Sequence, residues 1–220
     1  MRQAYQEQLS TIGDDLVAMT RLVGSAMNRA TQALLDADLQ LAEAVIRADE
    51  EIDALNAEVE ERCFEITALQ APVASDLRVV FGSLRIAGSL ERMGDLADHV
   101  AKQARMRYPR TAVPAELRGT FAEMGGLAEA IVSKTGGVIA TKEVSMAADI
   151  ARHDEDMDRL HRELFGIVLS PTWSHGIEAA IDVTLLSRYY ERYADHAVSV
   201  TRRVVTMVTG EPYVAVTLEG

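Results

Sequence analysis

Apolar residues recur at alternating steps of three and four along most of the chain. Leu9, Ile12, Leu16, Met19, Val23, Ala26, Ala30 and Ala33 form the first stripe, which is one face of an α-helix. The segment Asp36-Ala37-Asp38 interrupts it, and Asp38 is placed to cap a following helix. Val45, Ala48, Ile52, Leu55, Val59, Ile66 and Leu69 make the second stripe. A third helix is predicted after Pro72, with Leu77, Phe81 and Leu84 on one flank. Its main stripe is Ile86, Leu90, Met93, Ala97, Val100 and Ala104, ending before Pro109. The segment 109–114 reads as a linker. Three further helices are predicted near 115–140, 143–169 and 174–209. The pairs Gly125-Gly126 and Gly136-Gly137 weaken the fourth by about 1 kcal/mol per exposed interior glycine, which predicts a bent or mobile helix.

The two halves repeat. Arg47-Ala48-Asp49-Glu50-Glu51-Ile52-Asp53-Ala54-Leu55 resembles Arg152-His153-Asp154-Glu155-Asp156-Met157-Asp158-Arg159-Leu160. The stripe from Ile86 to Ala104 aligns with Leu186, Tyr190, Tyr193, Ala197, Val200 and Val204. The expected fold is all-α, with six long helices in two tandem antiparallel three-helix bundles. The expected boundaries are 1–108 for the first repeat, 109–114 for the linker, 115–212 for the second repeat and 213–220 for a C-terminal tail. Helices of ~30 residues run ~45 Å, so an elongated molecule is expected.

Composition supports helices. Hydrophobic residues make up 48% of the 220 residues and aromatics only 5%, with 14 Gly and 5 Pro; a β-sandwich or barrel wants more aromatic and turn residues. The net charge of −12 disfavours nucleic acid and anionic membrane surfaces and favours cations or basic partners. No apolar run approaches the ~18 residues of a membrane span, and residues 1–8 carry no signal core. A cytoplasmic protein is expected. The lone Cys63 lies on an apolar helix face and reads as a buried structural thiol.

Charge placement brings in candidate chemistry. Each half carries two acidic pairs spaced by four: Asp49/Asp53 with Glu91/Asp95, and Asp154/Asp158 with Glu191/Asp195. That spacing puts both carboxylates on one helix face, where they repel. Two neighbouring helices would offer about four carboxylates to one site, a donor set for hard or borderline metal ions. Because Glu91 lies beside Leu90, the sites should flank the core as grooves. Solvated acidic faces give the same spacing without any metal, and metal binding and a solvated face both stay open on spacing alone. His99, His153, His161 and His196 lie on helices and could add imidazole ligands, with His175 near the sixth helix start. The di-metal pattern Glu-x-x-His is missing, as are a phosphate loop, a nucleophile elbow and paired cysteines. No enzyme is expected. The helix corner at Gln70, Asp76 and Arg78 offers polar groups to a partner, and Trp173 sits at the equivalent corner of the second half as a packed lid.

The run Gln70-Ala71-Pro72-Val73-Ala74-Ser75-Asp76-Leu77-Arg78, then Leu90-Glu91-Arg92-Met93-Gly94-Asp95-Leu96-Ala97, resembles the signature of the PhoU family of phosphate-signalling regulators, actinobacterial members above all. Tyr190-Glu191-Arg192-Tyr193-Ala194-Asp195-His196-Ala197 resembles its second copy. The resemblance implies two three-helix bundles acting as a cytoplasmic negative regulator of the phosphate-starvation response. It implies an adaptor between the ATPase subunit of the phosphate ABC transporter and a membrane sensor histidine kinase, with homodimerisation in view. It also implies metal ions (iron, zinc, manganese or magnesium) at Asp49, Asp53, Glu91, Asp95, Asp154, Asp158, Glu191 and Asp195. Three features depart from the family pattern. Asp98-His99 stands where Glu-Asn is frequent, Ser170-Pro171-Thr172-Trp173 replaces the first corner, and Ala194 replaces Gly. Equal metal occupancy of the two halves therefore does not follow from the resemblance. The alternatives are a carboxylate-bridged metal-dependent enzyme and a purely structural helical scaffold.

Overall fold

The structure, a computed structural model, describes residues 2–211, with side chains from Tyr5 onward. The tail expected at 213–220 lies outside the described residues. Six helices form: α1 (Arg2–Asp36), α2 (Leu39–Gln70), α3 (Ser75–Arg107), α4 (Arg118–Thr141), α5 (Ala147–Val168) and α6 (Gly176–Thr209). No strand occurs among the described residues. The stripes read from the sequence become the core, apart from Leu69 at the end of the second and Phe81 on the flank of the third, which are exposed. Leu16, Met19, Val23, Ile52, Val59, Ile86, Leu90, Met93, Leu186, Tyr190 and Tyr193 are all buried, as is Cys63.

The breaks have local causes. Ala37 takes a left-handed conformation (φ 51°), and the Asp38 N–H donates to Ala33 O at 3.1 Å, which closes α1. The Asp38 carboxylate then accepts from the Leu41 N–H at 2.9 Å and opens α2, as expected of an N-cap. The α2–α3 corner turns through Ala71 and Ala74, both at positive φ. The fifth helix starts later than the sequence pattern suggested, because Val144–Met146 form a 3₁₀ turn first. The segment 109–114 is more than a solvated connection: Ala112 and Val113 are buried and insert into the core.

The repeats share one core. Buried residues of all six helices belong to a single apolar cluster, and α1 packs on α4 as α3 packs on α6. Gly125 and Gly136 of α4 serve the first of these contacts. A Cβ on Gly125 would lie 2.7 Å from Thr31 Cγ2, and one on Gly136 2.6 Å from Thr20 Oγ1. They let two helices approach, a role that their low helix propensity does not reveal.

The α3–α6 seam is antiparallel. Arg203 meets Ser89, His99 stacks on Tyr189, and Asp182 meets Gln103 and Arg107. Numbers rise along α3 as they fall along α6. Because α6 repeats α3 one hundred positions later, the seam has an approximate two-fold axis near Gly94 and Ala194. At one end Arg107 covers Asp182; at the other Met207 covers Gly82.

Candidate metal centres

The eight acidic residues picked out by spacing gather into two groups, one in each repeat. In the first, Asp49 and Asp53 of α2 face Glu91 and Asp95 of α3. Asp49 Oδ1 lies over Gly94, so closely that a Cβ there would come within 2.9 Å of it. Burial raises the Asp49 carboxyl to about 6, and the charges of Asp98, Asp53 and Asp95 add to this. Burial also raises Glu91, with Asp95 and Asp53 contributing. Two cations balance the group. Arg92 donates to Asp95 Oδ2 at 2.6 Å, and Lys102 pairs with Asp98.

In the second group, Asp154 and Asp158 of α5 face Glu191 and Asp195 of α6. Burial raises Asp154 to about 7, reinforced by Asp158, Asp195 and Glu191 and opposed by Arg202. Glu191 is raised by burial and by Asp195, and it pairs with Arg188. The groups lie beside the core, half-buried to exposed, as the flanking position of Glu91 predicts.

Asp98 is the member that spacing missed. It is buried and its Oδ1 has no hydrogen-bond partner. It follows Asp95 by three and Glu91 by seven on α3, so helical periodicity carried that signal. The second repeat has Val198 at the equivalent place, and Ala194 where the first has Gly94. The first group therefore holds five carboxylates and the second four.

Three of the helix histidines have other partners. His99 Nδ1 meets Asp95 O and His153 Nδ1 meets Asp149 O. His161 Nδ1 lies 3.0 Å from Ser187 Oγ, and burial lowers its pKa. Of the corner residues, Gln70 is exposed and Asp76 interacts with Tyr5. The Arg78 Nε is buried without a hydrogen-bond partner. Trp173 packs against the core edge and donates to Gly176 O at 2.9 Å.

As the side chains stand, no three or more His, Cys, Asp or Glu among the described residues are gathered tightly enough to hold a metal ion. The donor chemistry nonetheless suits a hard cation. It is all oxygen, and Asp98 Oδ1, Asp154 Oδ1 and Glu191 Oε2 are buried without a hydrogen-bond partner. Burial and repulsion raise Asp49, Glu91, Asp154 and Glu191 above their ordinary range, and a cation relieves such repulsion.

The repulsion has a measurable consequence in chelator. Asp154 has a folded pKa above its unfolded value near 3.8. The fold therefore holds that proton more tightly than the unfolded chain does. Its contribution is neutral below pH ~4, turns unfavourable as pH rises toward about 7 and is constant above that. Asp154→Asn should raise stability at pH 8 by on the order of 1–2 kcal/mol after solvent screening, and by nothing near pH 4. Urea midpoints at the two pH values check this. An equal effect at both would contradict it.

Comparison with known proteins places this arrangement. The sequence pattern described as the PhoU domain matches residues 16–104 and again 121–204. The chain is 51% identical to the phosphate-specific transport system accessory protein PhoU homolog 2 of Mycobacterium tuberculosis, over 96% of this chain and 99% of that protein. It is 49% identical to PhoU homolog 1 of Mycobacterium leprae, over 96% and 95%. The crystal structure of PhoU from Pseudomonas aeruginosa superposes with a TM-score of 0.82 at 28% identity, covering 94% of this chain and all of that one. The phosphate transport system regulatory protein PhoU from Streptococcus pneumoniae gives 0.83 at 25%, covering 96% and 99%. Two copies of one domain pattern, a matching fold and about half the residues shared over nearly the full length lead to one conclusion: this chain belongs to the PhoU family.

Proposed function

We propose that the chain is a negative regulator of the phosphate-starvation response. It acts as an adaptor between the ATPase subunit of a phosphate ABC transporter and a membrane sensor histidine kinase. The observation that carries this is the near-full-length likeness to proteins named as accessory to phosphate-specific transport. No described helix is long and apolar enough to cross a membrane, which suits a partner that visits membrane proteins. Both helix corners offer apolar contacts: Leu69 and Val73 at the first are exposed, as are Leu169 and Ile177 at the second. Gln70, Asp76 and Arg78 lie at the first and are the polar contacts of this reading.

The two carboxylate groups are the metal sites of the same proposal. Asp49, Asp53, Glu91, Asp95 and Asp98 would hold ions in one repeat, and Asp154, Asp158, Glu191 and Asp195 in the other. A bound divalent or trivalent cation would neutralise each acidic face and draw neighbouring helices together.

The test is a phosphate-starvation reporter in the native host without this gene, grown in high phosphate. The reporter should be on in the deletion and off when wild type is restored. A reporter that stays off in the deletion, with no paralogue covering the loss, overturns the regulatory reading. Complementation with Glu91, Asp95, Glu191 and Asp195 all changed to Ala then reads whether the carboxylates take part.

A further inference from the structure

The two ends of the α3–α6 seam are built from equivalent positions but differ in charge: one is internally neutralised and the other is cationic. At one end Asp182 accepts from Gln103 Nε2 at 2.6 Å and from Arg107 Nε and Nη2 at 2.6 and 2.9 Å. At the other end, position 103 becomes Arg203, position 182 becomes Gly82, and position 185 (a leucine) becomes Arg85. Arg203 therefore faces no carboxylate where its counterpart does. Its Nη1 donates instead to Ser89 Oγ at 2.8 Å and Ser199 Oγ at 3.0 Å. Ser89 is buried, and its hydroxyl donates on to Arg85 O at 3.0 Å. The Arg85 side chain has no ion pair among the described residues. Burial and the charge of Arg85 both work against the Arg203 charge. Arg92, further along α3, is already held by Asp95 and Glu91.

A half-buried guanidinium with a like charge beside it and no acid is unfavourable in a chain of net charge −12 unless an anion is supplied. The planar guanidinium fork, with a serine hydroxyl beside it, matches the oxygens of a tetrahedral oxyanion. We propose that Arg203, Arg85, Ser89 and Ser199 form a binding site for a phosphate-type oxyanion on the α3–α6 seam. Arg203 Nε and Nη2 donate to the anion, the Ser199 O–H donates beside them, and the exposed Arg85 closes over it. The site is separate from both carboxylate groups, and it goes beyond the regulatory reading without depending on it.

The repeat itself supplies the variants. Arg203→Gln and Arg85→Leu install the side chains already tolerated at positions 103 and 185. Binding of inorganic phosphate to the full chain is measured by calorimetry, at ionic strength matched with chloride and with sulfate and O-phosphoserine as further probes. The Arg203 Nε–H resonance is followed in parallel. The expected result is saturable phosphate binding that moves this resonance and weakens at least about tenfold in the double variant. Sulfate acting like phosphate supports a site for free tetrahedral anions. Binding of O-phosphoserine alone assigns the site to a phosphorylated side chain. An unmoved resonance, or binding equal in wild type and double variant, overturns the proposal and leaves Arg203 solvated between its two serines. The reporter experiment is independent, so either idea can fail without the other.

Discussion

Replacing Asp182 with Ala should lower the stability of the fold by about 3 kcal/mol, with 5 as the upper bound for breaking a buried pair. The Asp182 side chain is only 4% exposed and that of Arg107 18%. Three donors converge on the one carboxylate. Truncation leaves a guanidinium and an amide facing an empty space. Arg107 keeps Glu178 at 3.0 Å, but that partner is exposed and its contribution is screened, which sets the estimate at the lower end. An exposed pair such as Arg47–Glu43 would be worth at most about 1 kcal/mol. Urea unfolding decides the matter, and a loss below about 1 kcal/mol would show that the pair is solvated. The double change Asp182→Leu with Arg107→Met should hurt less than Asp182→Ala alone, because apolar replacement of both partners removes the stranded charge. Met207 over Gly82 shows that the equivalent place accepts such packing.

The second large effect lies at the α1–α4 crossing and separates two adjacent glycines. Gly126 is exposed and a Cβ there meets nothing within 4 Å. Gly126→Ala should therefore stabilise, by up to about 1 kcal/mol of helix propensity. Gly125→Ala gains the same propensity yet drives its Cβ against Thr31. The Thr31 hydroxyl bonds Met27 O at 2.8 Å and lies 2.7 Å from the buried Tyr190 OH, so it cannot swing aside without losing both. Overpacking costs about 1–3 kcal/mol and outweighs the propensity gain. Gly125→Val should cost more than Gly125→Ala, and Gly136→Val against Thr20 should behave alike. Thermal unfolding of the Gly125→Ala and Gly126→Ala proteins should shift in opposite directions. A shift in the same direction would mean that the two helices can separate freely.

Much of this molecule was legible in its sequence because its period is regular. Stripes at three and four marked the buried faces of α1, α3 and α6, and Asp38 announced its cap through residue type and place. The eight carboxylates emerged from spacing, and the repeat presented the same pattern twice. What the sequence withheld depends on which helix meets which across the repeats. Gly125 looked like a helix breaker because Thr31, its partner, is far away along the chain. Ala112 and Val113 sat between prolines and looked like linker, yet burial drew them inward. Asp98 was not grouped with the others because it follows Asp95 by three, outside the spacing of four that the eight share, although that step too lies on one helix face. Arg203 looked like any helix arginine until α6 was laid against Ser89.

The approximate two-fold of the α3–α6 seam has a consequence for how such chemistry can arise. Two identical three-helix chains joined about a true axis would present the same residues at both ends of their interface. An acid placed at one end would appear at the other, and so would any arginine. Joining the halves through 109–114 makes the pairing intramolecular and independent of protein concentration. It also lifts that constraint. Each end can then change alone, as Asp182 opposite Gly82 and Gln103 opposite Arg203 have done. Covalent fusion thus turns a scaffold of repeated halves into a polar object, with one end of its central interface internally neutralised and the other left cationic.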